Sequence, residues 1–182
     1  MKIAYLFLFT FIFEVGIFAQ GTIWFLNRVT GTPGVVAPIY YIDGITRLSG
    51  NGFLAQLYAG ASPAFLEPIG DPLSFRTGPG AGYFEANGID HTRVIKTVGI
   101  GETAWIEVRA WEVATGPTWE SAWIRGASPM FSQVTGGVFP SVPTTMVGLQ
   151  SFSLQIVPEP SVLAFLALGI VLLASKRCRL KA

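Results

Sequence analysis

The sequence is poor in the residues that build disulfides, metal sites and charged surfaces. Its 182 residues include one cysteine and one histidine. The single cysteine excludes an intramolecular disulfide framework, and the shortage of both residue types excludes multi-cysteine and multi-histidine metal sites. Charged residues make up only 13% of the chain, and the formal net charge is +1. A general nucleic-acid binder needs a strongly basic field, so we predict no nucleic-acid partner, no metal and no cofactor.

The N-terminal residues are almost without charge. Lys2 is followed by an apolar run over residues 3–13, and the segment 16–21 contains the small residues Gly16, Ala19 and Gly21. A short basic start, an apolar stretch and a small-residue cleavage site are typical of a secretory signal. We therefore predict a signal peptide over residues 1–19. A retained membrane anchor and a buried first strand are the alternatives.

A second apolar run, over residues 161–175, also lacks charge, and cations follow it at once: Lys176, Arg177, Arg179 and Lys181. As a helix this run would be about 22 Å long, which is short for a bilayer core of about 30 Å. Lysine and arginine side chains can extend such a span by reaching to the interface. We predict a single transmembrane helix over 161–175 with a cytoplasmic basic tail over 176–182, because basic flanks stay on the cytoplasmic side. A buried core helix is the alternative, and it does not account for the cations.

The segment before this run carries the most specific motif. Pro158, Glu159 and Pro160 precede the apolar run and the basic end. In that order, these features over residues 157–182 resemble the PEP-CTERM sorting signal of Gram-negative bacteria, although Cys178 interrupts the basic end. The resemblance implies that a membrane-embedded processing enzyme, an exosortase, recognises the Pro-Glu-Pro triplet of the motif at 157–160 and cuts at or near it. It also implies delivery to the envelope or exterior and an association with exopolysaccharide or biofilm matrix.

The middle of the chain, residues 20–156, shows the period-two pattern of strands. In residues 103–113, Ala104 and Ile106 alternate with Trp105 and Glu107, as in a strand with two different faces. Glycine and proline pairs separate the apolar stretches and favour turns. We predict an all-β, antiparallel β-sandwich of jelly-roll or immunoglobulin-like kind, with a helical turn over 62–67. The predicted strands are residues 22–27, 38–42, 53–58, 82–85, 93–98, 103–113, 119–124, 130–134 and 150–156.

Catalytic motifs are weak. His91 has no nucleophile or base that the sequence nominates as its partner. The glycine-rich residues 78–82 lack the Lys-Ser/Thr of a phosphate loop, so we interpret them as a turn. A small glycan hydrolase remains an alternative, because two carboxylates can come from distant positions. We predict no catalytic residues and a protein that is not an enzyme.

Tryptophans crowd into one short part of the domain: Trp105, Trp111, Trp119 and Trp123. Exposed on a flat sheet, their rings could stack on sugars, which would make the domain a carbohydrate-binding module. We favour the other interpretation, that these indoles fill the core between two sheets.

Together these patterns predict a non-enzymatic, exported protein of the cell envelope or extracellular matrix. We expect an inner-membrane tether before processing, and a cell-envelope or extracellular location afterwards. The expected partners are an exosortase-type enzyme, the membrane and extracellular polysaccharide.

Overall fold

The fold is all-β in the computed structural model, which describes residues 20–84, 91–137 and 141–158. Within these residues the helical elements are two single 3₁₀ turns, Gly78–Gly80 and Val113–Thr115. The predicted all-β class is therefore confirmed. The strands are β1 (Gln20–Trp24), β2 (Arg28–Val29), β3 (Val35–Val36), β4 (Gly50–Ser62), β5 (Phe65–Phe75), β6 (Thr92–Gly99), β7 (Thr103–Glu112), β8 (Ile124–Ala127), β9 (Phe131–Val134), β10 (Thr144–Thr145) and β11 (Gln155–Ile156).

The strands form one large sheet and two small ones. The large sheet has the order β11-β8-β7-β4-β5, and β9 also pairs with β7. A second sheet has the order β10-β1-β6, and β2 pairs with β3. Among the strands of the described residues, every pairing is antiparallel except that of β1 with β10. Central strand β7 thus pairs with β4 on one side and with both β8 and β9 on the other.

The hydrophobic core takes side chains from the large sheet and from the β10-β1-β6 sheet. Ile23 of β1 and Ile95 of β6 belong to the same buried cluster as Leu57 of β4 and Ile106 of β7. Burying each such side chain stabilises the fold by about 1.5–3 kcal/mol. The predicted alternation in β7 is confirmed, because the buried face of the strand consists of alternate residues: Ala104, Ile106, Val108 and Ala110.

The longest hairpin, β4–β5, was predicted only in part. The helical turn predicted over 62–67 is wrong, because Ser62 pairs directly with Phe65 and closes a hairpin. Strand β5 was not predicted, since Pro68, Gly70 and Pro72 interrupt it. It forms nevertheless because it is an edge strand, where a proline does not remove a needed ladder hydrogen bond.

Several other predicted strands are shorter or absent. Residues 119–123 are a loop, and β8 begins only at Ile124. In the segment predicted as a strand over 150–156, only Gln155–Ile156 joins the ladder. The strand predicted over 38–42 is reduced to isolated bridges at Tyr40. A local sequence pattern therefore does not by itself make a ladder, which also needs a neighbouring strand in register.

Several predictions fall outside the described residues: the signal peptide over 1–19, Glu159 and Pro160 of the motif, the helix over 161–175 and the tail over 176–182. Residues 85–90, including the end of the strand predicted over 82–85, also fall outside them. Within the ranges that the structure does describe, no helix has the length and apolar character needed to cross a membrane.

Candidate functional site

The large sheet carries a polar and aromatic surface on the side opposite the core. Side chains alternate along a strand. Leu57 and Val108 face the core, so their neighbours Tyr58 and Arg109 lie on the other side of the sheet. We call this side the outer face. The loop of residues 113–123, between β7 and β8, brings Trp119 against it. The charged and aromatic residues gathered here are called the Arg109 cluster: Tyr58, Glu107, Arg109, Trp119, Glu120 and Arg125.

Arg109 is the centre of this cluster. Its guanidinium carbon lies 3.8 Å from the centroid of the Tyr58 ring and 4.3 Å from that of Trp119. Its Nε donates to Oε2 of Glu107 at 2.6 Å. A planar, delocalised cation can stack on aromatic rings and pair with a carboxylate at the same time, which a lysine does less well.

The loop of residues 113–123 is held to the sheet by further contacts. Oη of Tyr58 donates to Oε1 of Glu120 at 2.8 Å, and Nε1 of Trp119 donates to the carbonyl oxygen of Gly126 at 3.0 Å. Nη1 of Arg125 donates to the carbonyl oxygens of Trp119 and Glu120 at 2.7 and 2.5 Å. The guanidinium of Arg125 also lies 4.5 Å from the Trp119 ring centroid. These contacts join β4, β7, β8 and the loop into one unit.

The four tryptophans singled out in the sequence lie in different surroundings, and among them only Trp111 is buried as our favoured interpretation expects. None of them belongs to the core cluster. Trp111 is only 1% exposed and its buried Nε1 has no hydrogen-bond partner among the described residues. The ring of Trp119 is in contact with two guanidinium groups, and Trp105 is half-buried. Only Trp123, at 42%, exposes a large part of its side chain.

Burial and charge shift two ionisable groups of the cluster. Burial is the largest cause that raises the pKa of Tyr58, and the hydrogen bond and negative charge of Glu120 raise it further. Partial burial would raise the pKa of Glu120. That effect is outweighed by the hydrogen bonds that the carboxylate accepts, first from Tyr58, and by the charge of Arg109, so the pKa is lowered. The proton therefore stays on the phenol and the charge on the carboxylate.

We expect Tyr58 to titrate above the ordinary tyrosine value near pH 10. A folded-state pKa above the unfolded one contributes stability that is present below about pH 10 and is lost as the pH rises through the folded value. Ultraviolet absorbance of the phenolate measures this step, and Tyr58→Phe identifies it. Glu120→Gln should lower the pKa of Tyr58 only part of the way, because burial remains. A titration that is unchanged in Tyr58→Phe would contradict the assignment.

The residues that the sequence analysis considered for catalysis lie outside the strands of the large sheet. His91 is half-buried, and its carbonyl oxygen accepts a hydrogen bond from the backbone N–H of Phe25. The residues interpreted as a turn at 78–82 begin with the 3₁₀ turn Gly78–Gly80. Across residues 20–84, 91–137 and 141–158, no three histidine, cysteine or acidic side chains gather in a way that could hold a metal ion.

The C-terminal end of the described chain leaves the large sheet at its edge. Strand β11 pairs with β8 through Gln155 and Ile156. The N–H of Val157 then donates to the carbonyl oxygen of Trp123 at 2.8 Å. Pro158, the first residue of the sorting triplet, is exposed. A cleft of about 330 Å³ lies beside this exit and is lined by Trp119, Arg125, Gly126, Ala127, Ser153, Gln155 and Val157.

Sequence reasoning missed a second cleft, which contains Trp24. It has a volume of about 600 Å³ and lies beside strands β1 and β10 of the β10-β1-β6 sheet. Its signal was the alternation of Ile23, Trp24 and Phe25, in which only Trp24 is not fully buried.

Comparison of this chain with protein-family models, with curated proteins and with solved structures found no match. Arguments about its function therefore depend on its own residues and their geometry.

Proposed function

We propose that this chain is a non-enzymatic, exported protein of the cell envelope or extracellular matrix. In this proposal its signal peptide directs export, and a PEP-CTERM signal over residues 157–182 delivers it to an exosortase-type enzyme. The exported domain is a β-sandwich of jelly-roll or immunoglobulin-like kind. The proposal is supported by the triplet, apolar run and basic end, which follow one another in the order of that signal.

The observation that carries the proposal is the position of the triplet's first residue. Val157 makes the last backbone hydrogen bond of the domain, and the exposed Pro158 follows it. A proline has no N–H to continue the ladder, and it disfavours helix in the residue before it. A processing enzyme needs an extended, accessible backbone. The exposure of Pro158, directly after the last strand, supports access to the triplet.

The register of the sheet separates the exit of the chain from the tip of the β4–β5 hairpin. Strand β11 lies beside Arg125, which pairs with Trp111, and Trp111 pairs with Leu54 of β4. The tip of the β4–β5 hairpin, at Ser62, is thus about 26 Å farther along the sheet, at about 3.3 Å per residue. A tether at the exit would hold this tip, with its exposed Phe65, away from the membrane surface.

The test is the intact mass of the protein in its native host, with and without the exosortase-type enzyme. We expect a mature chain that begins near Gln20 and ends near Pro160, and a chain that keeps its basic tail when the enzyme is absent. Glu159→Ala should impair processing, whereas Glu67→Ala, an exposed carboxylate of β5, should not. The same uncut C-terminus in both strains would overturn the proposal and leave a plain membrane-anchored protein.

Glycan binding through exposed tryptophans is the second candidate function. Its specific support is the exposure of Trp123, whose carbonyl oxygen accepts the hydrogen bond of Val157 at the rim of the 330 Å³ cleft. The cleft also offers the side chains of Arg125 and Gln155. This candidate requires that Trp123→Ala abolishes binding of the protein to insoluble polysaccharide.

A further inference from the structure

The cleft around Trp24 is built from three separate parts of the chain. Trp24 comes from β1, a second wall comes from the loop that joins β2 and β3, and a third comes from β10 with its flanking residues. We call it the Trp24 cleft. Its lining residues are Trp24, Val29, Thr30, Gly31, Thr32, Pro33, Gln133, Val142, Pro143, Thr144, Thr145 and Val147.

The sheet presents Trp24 to this cleft through ordinary strand alternation. Its neighbours Ile23 and Phe25 are fully buried in the core, so Trp24 lies on the opposite face of the sheet. In the parallel pairing of β1 with β10, Trp24 is in register with Thr145. The indole and a threonine hydroxyl therefore belong to the same wall of the cleft.

The chemistry of the lining is apolar with neutral polar groups. Among the residues that the structure describes, no charged side chain lines the cleft. Hydrogen-bonding groups come from threonine hydroxyls and from the amide of Gln133. The hydroxyl of Thr144 already donates to the carbonyl oxygen of Val134 at 2.8 Å, which leaves the other threonines of the lining, Thr30, Thr32 and Thr145, as the candidate donors and acceptors.

The cleft is large enough to hold a small ligand, and part of its lining is exposed. The volume of about 600 Å³ falls in the range of about 300–1,000 Å³ that small-molecule sites occupy. Apolar side chains also remain exposed at the cleft, since Val142 is 64% and Val147 is 44% exposed. Together with the indole, these side chains form an apolar surface beside several uncharged polar groups.

These features discriminate between classes of ligand. A charged ligand would lose its hydration without gaining an ion pair, which is costly. A purely apolar segment would offer no hydrogen-bond partner to the hydroxyls of Thr30, Thr32 and Thr145 as it covers them, which also costs free energy. A neutral sugar presents apolar C–H faces to an indole and hydroxyls to the surrounding polar groups.

We propose that the Trp24 cleft binds a neutral glycan, with the sugar ring on the indole of Trp24. The inference does not rest on the sorting proposal, because the cleft belongs to the folded domain. It is also distinct from the second candidate function, because none of the residues around the exit cleft lines this one.

The test is titration calorimetry of the full chain in a detergent that has no sugar headgroup. The probes are neutral gluco-, manno- and galacto-oligosaccharides, with an oligogalacturonate as the charged comparison. We expect at least one neutral probe to bind and the charged one to bind more weakly. Trp24→Ala should weaken binding by about tenfold or more, in line with the loss of a buried aromatic anchor, and Trp24→Phe by less.

A second variant guards against misfolding of Trp24→Ala. Val142 is largely exposed, so Val142→Arg should fold normally while it adds a charge and bulk to the cleft, and it should weaken binding comparably. Phe65→Ala removes an exposed aromatic ring at the tip of the β4–β5 hairpin; it is the matched control and should bind as the natural chain does. The proposal is overturned if no neutral probe binds, if the charged probe binds best, or if a folded Val142→Arg protein keeps full affinity. It is also overturned if Trp123→Ala, rather than the Trp24 variants, loses binding.

Discussion

Replacing Gly60 by alanine should destabilise the domain by about 3 kcal/mol or more, whereas the same change at Gly52 should be nearly neutral. Both glycines lie in β4. A Cβ at Gly60 would lie 2.0 Å from the carbonyl oxygen of Phe65, which is backbone of the adjacent strand and cannot rotate away. A Cβ at Gly52 would meet nothing within 4 Å.

The measurement is urea unfolding of the full chain, followed by tryptophan fluorescence. Gly52→Ala controls for strand propensity and for the reduced freedom of the unfolded chain, which both variants share. The difference between the two midpoints therefore reports the clash with Phe65. Equal midpoints would contradict the close approach of β4 and β5 at this hairpin.

Arg109→Ala should cost about 2–3 kcal/mol of unfolding free energy. The change removes the cation that contacts Tyr58 and Trp119, and it leaves the carboxylate of Glu107 without its ion-pair partner. The side chains of Arg109 and Glu107 are only 20% and 17% exposed, so water restores little of the lost interaction. A surface ion pair would be worth much less.

Arg47→Ala is the matched control for this variant. Arg47 is exposed, and its guanidinium carbon lies 5.7 Å from the ring centroid of Tyr83, so its loss should change stability by less than about 0.5 kcal/mol. Urea unfolding compares the two variants directly. Arg109→Lys, which keeps the charge but not the planar stack, should fall between them. A cost for Arg109→Ala no larger than that for Arg47→Ala would contradict the stacked geometry.

The sequence alone predicts which residues of the central strand β7 face the core. Alternation in β7 identifies Ile106 and Val108 as one face, and both are fully buried. The reason is that strand geometry sends successive side chains to opposite faces, so a local pattern already separates core from outer face. The same local rule explains why β5 was missed, since Pro68 breaks the pattern while an edge position tolerates it.

For the outer face, the sequence predicts which residues lie there but not which part of the chain covers them. Alternation puts Trp105, Glu107, Arg109 and Trp111 on one side of β7, and they are there. It does not say what covers them. The loop of residues 113–123 does so through Trp119 and the other contacts of the Arg109 cluster, and it turns residues expected in the core or in solvent into a half-buried stack.

The sequence by itself determined the all-β class, the buried face of the central strand, and the expectation of a sorting signal at the C-terminus. Each depends on residues that are near one another in the chain. Tertiary structure alone decided that Trp24 and the β2–β3 loop line one cleft, that Trp119 contacts two arginines, and that Pro158 leaves the sheet beside Trp123. These features join segments far apart in sequence, so they depend on strand order and register, which no local pattern specifies.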